Sequence, residues 1–247
     1  MHKINYLDVC LSPLHYAHAA RNHSIIVLID VFRAGASILA AIANGCPKVL
    51  PLADEEQTRA MSDKGYLTAG ERGGMQIDGF QFGNSPQTFS KAAISGKPIA
   101  FTTTNGTQAL DLVIKYNTEH QIESHIVIGS FININSLLFF LQKEGKDVIL
   151  LCSGWENAVN MEDTLFAGLV ASELEKNCWM FASESVTIAK TMYLAAKDNM
   201  RDFILNASPR LRSKLSFLGP DIDFCLKKDT YQIIPQYINS HFQEGHH

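Results

Sequence analysis

The sequence predicts an α/β fold of three layers, a largely parallel or mixed sheet with helices on both faces. Three observations carry that prediction. Apolar, β-branched runs recur along the chain, each run ends in a small polar cluster, and a helical pattern follows each cluster. Parallel strands buried on both faces read as continuous apolar runs, and the crossover between them is normally a helix.

The first unit runs over 25–29, through Asp30-Val31-Phe32-Arg33, into a helix over 36–43 that Gly45 stops. The second runs over 98–101, through Thr102-Thr103-Thr104-Asn105-Gly106-Thr107, into a helix over 109–116. The third covers 125–128, then Gly129-Ser130-Phe131-Ile132-Asn133, then a helix over 136–143 with Gly145 behind it. The fourth covers 148–151, then Cys152-Ser153-Gly154, with a long helix from about 162 to 176. Between the first two units lies a Gly-rich segment, 65–86, which reads as loop or short strands. Loops this long in compact proteins are often functional. Toward the end the pattern changes to helices over 185–197 and 208–218 and a terminal strand over 231–234 before Pro235. No linker-like stretch interrupts the chain, so 1–243 reads as a single α/β unit, with 65–86 as a candidate small subdomain. The final Glu244-Gly245-His246-His247 resembles a purification-tag remnant and is set aside.

Composition excludes several classes. Of 247 residues, 46% are hydrophobic and 19% charged, enough for a large core and against disorder. The net charge of −4 lacks the basic excess of a nucleic-acid binder. No apolar run approaches the roughly 20 residues of a membrane helix, and the start lacks a signal peptide's apolar core. The five cysteines are odd in number and widely spaced, which argues against a disulfide framework and for a reducing cytoplasm. For oligomeric state a homodimer is the commonest arrangement.

Open α/β sheets bind ligands outside the carboxyl ends of their strands. Four such ends bring Asp30 and Arg33, the 102–107 segment, Ser130 and Asn133, and Cys152 and Ser153 to one rim. The hydroxyls and amide of Thr103, Thr104, Asn105 and Thr107, with Gly106, precede a helix, and a helix N-terminus holds anions such as phosphate. The competing reading is a capped helix. Asp30 suits a Mg²⁺ ligand or a general base, or simply caps the next helix. Gly70-Glu71-Arg72-Gly73-Gly74 sets a carboxylate and a guanidinium among glycines, either as an anion grip or as a solvated turn. Glu162-Asp163 open a helix, where acids complement the dipole or ligate a metal.

Other chemistries are excluded. Position 158 is Ala158, so Cys152 lacks the arginine of the cysteine-phosphatase loop. Phe32 replaces the second aspartate of the aspartyl-phosphate pattern, and no Gly-x-Ser-x-Gly elbow occurs. His15 and His18 have no acidic partner pattern that would mark a metal site.

Taken in order, Asp30-Val31-Phe32-Arg33-Ala34, Gly70-Glu71-Arg72-Gly73-Gly74, Gly79-Phe80, Gly83-Asn84-Ser85-Pro86, the 102–107 segment, Gly129-Ser130-Phe131-Ile132-Asn133, and Glu162-Asp163 with Ala167-Gly168 resemble the 2-phosphosulfolactate phosphatase family. The resemblance runs from about 25 to 174, and more weakly through Ser208 and Asp221 to Pro235. It implies a Mg²⁺-dependent phosphatase acting on 2-phospho-3-sulfolactate, a small anionic phosphorylated substrate, to give 3-sulfolactate on the route to coenzyme M. The chain departs from the pattern at Gly35 and Ala36, where Thr or Ser is usual, and in the turn from Cys152 to Trp155.

Resemblance and strand-end logic together assign roles. Asp30, Glu71 and Asp163 supply the metal carboxylates. Asn84, Ser85, Thr103, Thr104, Asn105, Gly106, Thr107, Ser130, Asn133, Cys152 and Ser153 form the substrate bed. Arg33 and Arg72 face that bed and neutralise its anions, and Asp30, Arg33, Glu71 and Arg72 form the catalytic set. Two routes stay open, attack by a water that the metal activates and a phospho-enzyme on Asp30 or Cys152. So do two rival functions, hydrolysis of another small acidic phosphoester and a non-catalytic anion-binding module.

Overall fold

The computed structural model describes residues 4–245. Its strands are β1 (Tyr6–Cys10), β2 (Ser24–Ile29), β3 (Val49–Pro51), β4 (Leu67–Arg72), β5 (Met75–Gln76), β6 (Ile99–Thr102), β7 (Ser124–Gly129), β8 (Val148–Cys152), β9 (Met180–Phe181), β10 (Pro235–Ile238) and β11 (His241–Glu244). Its helices are α1 (Tyr16–Ala19), α2 (Ala34–Ala43), α3 (Glu55–Ala60), α4 (Lys91–Ile94), α5 (Gly106–His120), α6 (Ile134–Glu144), α7 (Met161–Glu175), α8 (Glu184–Ala196), α9 (Met200–Ala207), α10 (Pro209–Ser213) and α11 (Leu215–Cys225).

The strands form one mixed sheet of eleven, in the order β5-β4-β6-β3-β11-β10-β7-β2-β8-β1-β9, with helices on both sides. Two parallel blocks make it up. In one, β4 and β3 flank β6; in the other, β7, β2, β8, β1 and β9 run side by side. The β10–β11 hairpin joins the blocks, pairing antiparallel with β7 on one side and β3 on the other. β2 and β8 are buried at every residue, as expected of central strands in a two-sided core.

The sheet does not lie flat. β2 and β6 are separated by four strands. On a flat sheet at about 4.8 Å per strand their ends would stand roughly 24 Å apart. Yet a Cβ built on Gly106, just past β6, would lie 2.8 Å from Asp30 Oδ2, just past β2. The sheet therefore curls about its hairpin and brings the two blocks' carboxyl ends together. Gly106 allows this approach because it has no side chain.

Several elements differ from the sequence expectation. β1 contains Asp8, which interrupts its apolar run, yet the strand pairs with β8 because Arg21 and Ser183 satisfy that carboxylate. The terminal strand expected over 231–234 is instead the hairpin from Pro235 onward. Glu244, set aside from sequence with the terminal histidines, pairs with Pro235 in that hairpin; His246 and His247 lie outside the described residues. The helix expected over 208–218 is two helices, α10 and α11, that meet at Lys214. β4, inside the Gly-rich segment 65–86, pairs in parallel with β6 and so belongs to the main sheet.

The tightest helix contact lies between α7 and α8. A Cβ on Gly168 would collide with the carbonyl oxygen of Ala189, which is backbone and cannot swing away. Overpacking of this kind costs about 1–3 kcal/mol. Gly168→Ala is therefore expected to lower the urea midpoint with an unchanged m-value. An unchanged midpoint would show that α7 and α8 are free to separate.

Candidate active site

The rim at the carboxyl ends of β2, β6 and β8 gathers four buried acids: Asp30, Glu71, Glu162 and Asp163. Two of them tie the rim together. Asp163 Oδ1 accepts from Val31 N at 2.9 Å, and its Oδ2 accepts from Gly154 N at 3.1 Å and Asn160 Nδ2 at 2.9 Å. One carboxylate thus joins the loops that follow β2 and β8 to the start of α7. Glu71 does the same on the other block. Its Oε1 accepts from Thr104 N at 2.8 Å and its Oε2 from Gly74 N at 2.7 Å.

The other two acids keep accepting capacity. Asp30 receives a main-chain N–H from Ala34, while its Oδ2 faces Gly106. Glu162 Oε1 accepts from Arg210 at 3.0 Å and from Asn160 at 3.3 Å, whereas its Oε2 is buried without a partner. Burial, then the charges of Glu162 and Glu71, push the Asp30 carboxyl up to about 7. Burial, then Asp30 and Glu162, hold Asp163 well above the carboxylate range. Burial also raises Glu162, against the pull of Arg210. Beneath Asp30 lies a small apolar cavity between α2, α5 and the sheet, which explains the desolvation.

The hydroxyls predicted from sequence are present on the rim. Thr103 Oγ1, Thr104 Oγ1, Ser130 Oγ and Ser153 Oγ are buried and lack partners. Buried polar atoms are normally hydrogen-bonded, so such a group calls for an explanation such as a ligand. The first turn of α5 adds N–H groups and a positive dipole end.

Other expected residues serve the scaffold. Thr107 Oγ1 donates to Thr103 O, and Asn105 Oδ1 accepts from Glu156 N. Asn133 is fully buried, accepting from Ser130 N and donating to Ile128 O and Ile233 O, so its amide is committed to the backbone. Cys152 is fully buried and burial drives its thiol far above its ordinary value, which removes the thiolate a nucleophile needs. Asn84 is buried with Oδ1 unpartnered. Ser85 donates to Asp221, which in turn stands 3.7 Å from Arg33.

The two expected arginines diverge. Arg33 donates to Gly74 O at 3.0 Å and remains beside the rim. Arg72 does not face the bed, because its guanidinium donates to Glu71 O, Ala53 O and Thr102 Oγ1, carbonyls and a hydroxyl that the strand ends leave open. The proposed metal trio also does not assemble. Among the described residues no three acidic, Cys or His side chains converge as a metal cage, since Glu71 and Asp163 turn to backbone N–H groups. From sequence Trp155 stands out only as part of a departure from the family pattern, and Arg210 and Lys214 do not stand out. Their one signal is the weak extension of the resemblance through Ser208, because helices α10 and α11 carry no strand-end pattern.

An acid cluster facing open hydroxyls and a helix N-terminus suits phosphoryl transfer, and the molecule falls in the class of α/β phosphatases. The family model described as 2-phosphosulpholactate phosphatase matches residues 10–240. A protein of Thermotoga maritima named probable 2-phosphosulfolactate phosphatase is 33% identical over 217 residues, covering 87% of this chain and 90% of its own. Proteins of the same name from Caldanaerobacter subterraneus (33% over 221 residues, 87% and 88%) and Clostridium beijerinckii (30% over 240, 94% and 96%) are similar along most of their lengths. The chain belongs to the 2-phosphosulfolactate phosphatase family.

The raised Asp30 has a consequence for stability. Its folded value of about 7 exceeds the ordinary 3.8, so the folded chain keeps a proton that the unfolded chain releases. Stability contributed by this site is full below the lower value and falls as pH rises through the upper one. Asp30→Asn removes the titration. In chelator its melting temperature should exceed the wild type's above pH 7, with the gap shrinking toward about pH 4. A gap that does not change with pH would contradict this account.

Proposed function

We propose that the chain is a magnesium-dependent phosphatase that hydrolyses the phosphomonoester of 2-phosphosulfolactate to 3-sulfolactate and phosphate. The observation that carries this reading is the set of buried, unpartnered hydroxyls beside the protonatable Asp30. The donor chemistry fits magnesium. All candidate donors are oxygens, and Mg²⁺ needs one or two carboxylates besides phosphate and water. Asp30 and the open Oε2 of Glu162 would hold it, in place of the Asp30, Glu71 and Asp163 trio expected from sequence. When bound it would supply positive charge to the phosphoryl oxygens and lower the pKa of water.

The chain's own residues do the rest. The hydroxyls of Thr103, Thr104 and Ser153 and the first-turn N–H groups of α5 receive phosphoryl oxygens. Arg33 offsets their charge from the side. Asp30 orients the attacking water above Gly106. Glu71 and Asp163 keep the bed fixed, so its donors need no reorganisation as charge develops. A phosphoester of another small acid is the second reading. It is favoured by the apolar wall beside Asp30, which Ala34, Gly35 and Ile38 form without a hydroxyl.

Exhaustive chelation is expected to abolish phosphate release, and added Mg²⁺ to restore it. Asp30→Asn should lose at least about a hundredfold in kcat with its fold intact by circular dichroism. Full activity in chelator, or normal turnover by the variant, would overturn the reading.

A further inference from the structure

A narrow cleft opens beside the rim, with Phe32, Arg33, Trp155, Arg210, Lys214 and Asp221 among its walls. Three of these are cations. Arg33 donates to Gly74 O at 3.0 Å and Lys214 Nζ donates to Gly73 O at 3.1 Å, so two positive heads stand on consecutive carbonyls. Both heads fall within 3.6 Å of the position a Cβ would take on Gly74. Arg210 and Lys214 share the ring of Trp155, at 4.5 and 5.1 Å from its centroid.

Like charges held this close repel, and an anion between them relieves the repulsion. The fold supplies two carboxylates, Asp221 at 3.7 Å from Arg33 and Glu162 at 3.0 Å from Arg210. Lys214 forms no ion pair among the described residues; its Nζ meets a carbonyl and the face of Trp155. Lys214 is thus the cation of the cleft wall that no carboxylate pairs among the described residues. The cleft adjoins the reaction centre, since Arg33 follows Asp30 by three residues and Glu162 links Arg210 to the acid cluster.

We propose that this cleft receives a second anionic group, a carboxylate or sulfonate, of the same small phosphoester, with Lys214 and Arg210 as the specificity-determining residues. The role expected of Arg72 from sequence passes to them. The proposal rests on the hydrolytic reading for its ligand. Its geometry does not depend on the reaction.

The test compares kcat/KM for 2-phospholactate with that for glycerol 2-phosphate, which lacks the second anion, in wild type, Lys214→Gln and Lys214→Arg. Calorimetric binding of 3-sulfolactate to each protein is measured in parallel. Gln keeps a polar stem over Trp155 and removes the charge. Lys214→Gln is expected to reduce the ratio of the two kcat/KM values at least tenfold, chiefly through KM, and to weaken 3-sulfolactate at least tenfold, while Lys214→Arg restores most of both. An unchanged ratio, or 3-sulfolactate bound equally by wild type and Lys214→Gln or by neither, would overturn the cleft. Binding that depends on Lys214 in a protein that hydrolyses neither ester would leave the cleft standing and sink the hydrolytic reading.

Discussion

The structure depends on one constraint: four carboxylates share a buried rim that holds too little positive charge to neutralise them. An isolated buried carboxylate is expensive, and several together are more so. The fold relieves the strain in three ways. Asp163 and Glu71 turn to main-chain N–H groups, which are strong partners for a carboxylate. Glu162 shares one oxygen with Arg210. Asp30, left over its apolar cavity, keeps a proton up to about pH 7. The first two devices tie acids to different parts of the chain, so the acid cluster organises the loops around it.

That organisation explains why the sheet can curl. Its hairpin makes few pairings with the parallel blocks, one residue pair to β7 and one to β3. A seam so sparsely bonded would be a weak point on its own. Above it, Asp163 fastens the ends of β2 and β8, and Glu71 fastens the turn after β4 to the start of α5. Gly106 completes the closure by letting α5 begin against Asp30. The ligand bed is thus made from the two blocks together, and neither block has it alone.

Much of this is legible in the sequence because local physics decides it. β2, β6, β7 and β8 are apolar runs with polar ends, and both the runs and the ends lie where the pattern puts them. β1 and the C-terminal hairpin escape notice because tertiary partners, and no local pattern, make them strands. Within the site, Asp30, Thr103, Thr104 and Ser153 can be found from strand ends. Which acid is free cannot. Glu162 and Asp163 are neighbours on α7, about 100° apart around the helix, so one turns to the loops and the other toward Arg210. The sequence offers both as equivalent. Arg210 and Lys214 are harder still, since two short helices deliver them across the rim and their sequence neighbourhood reads as ordinary surface.

If the shared burden of these carboxylates is the reason the site takes a divalent cation, binding must expel the proton that Asp30 keeps. Calorimetric titration of Mg²⁺ into the metal-free protein, in buffers of different ionisation enthalpy, measures that proton directly. Proton release is expected at pH 7, falling as pH rises and smaller in Asp30→Asn. Mg²⁺ binding at pH 7 with no proton released, or no binding at all, would contradict the account.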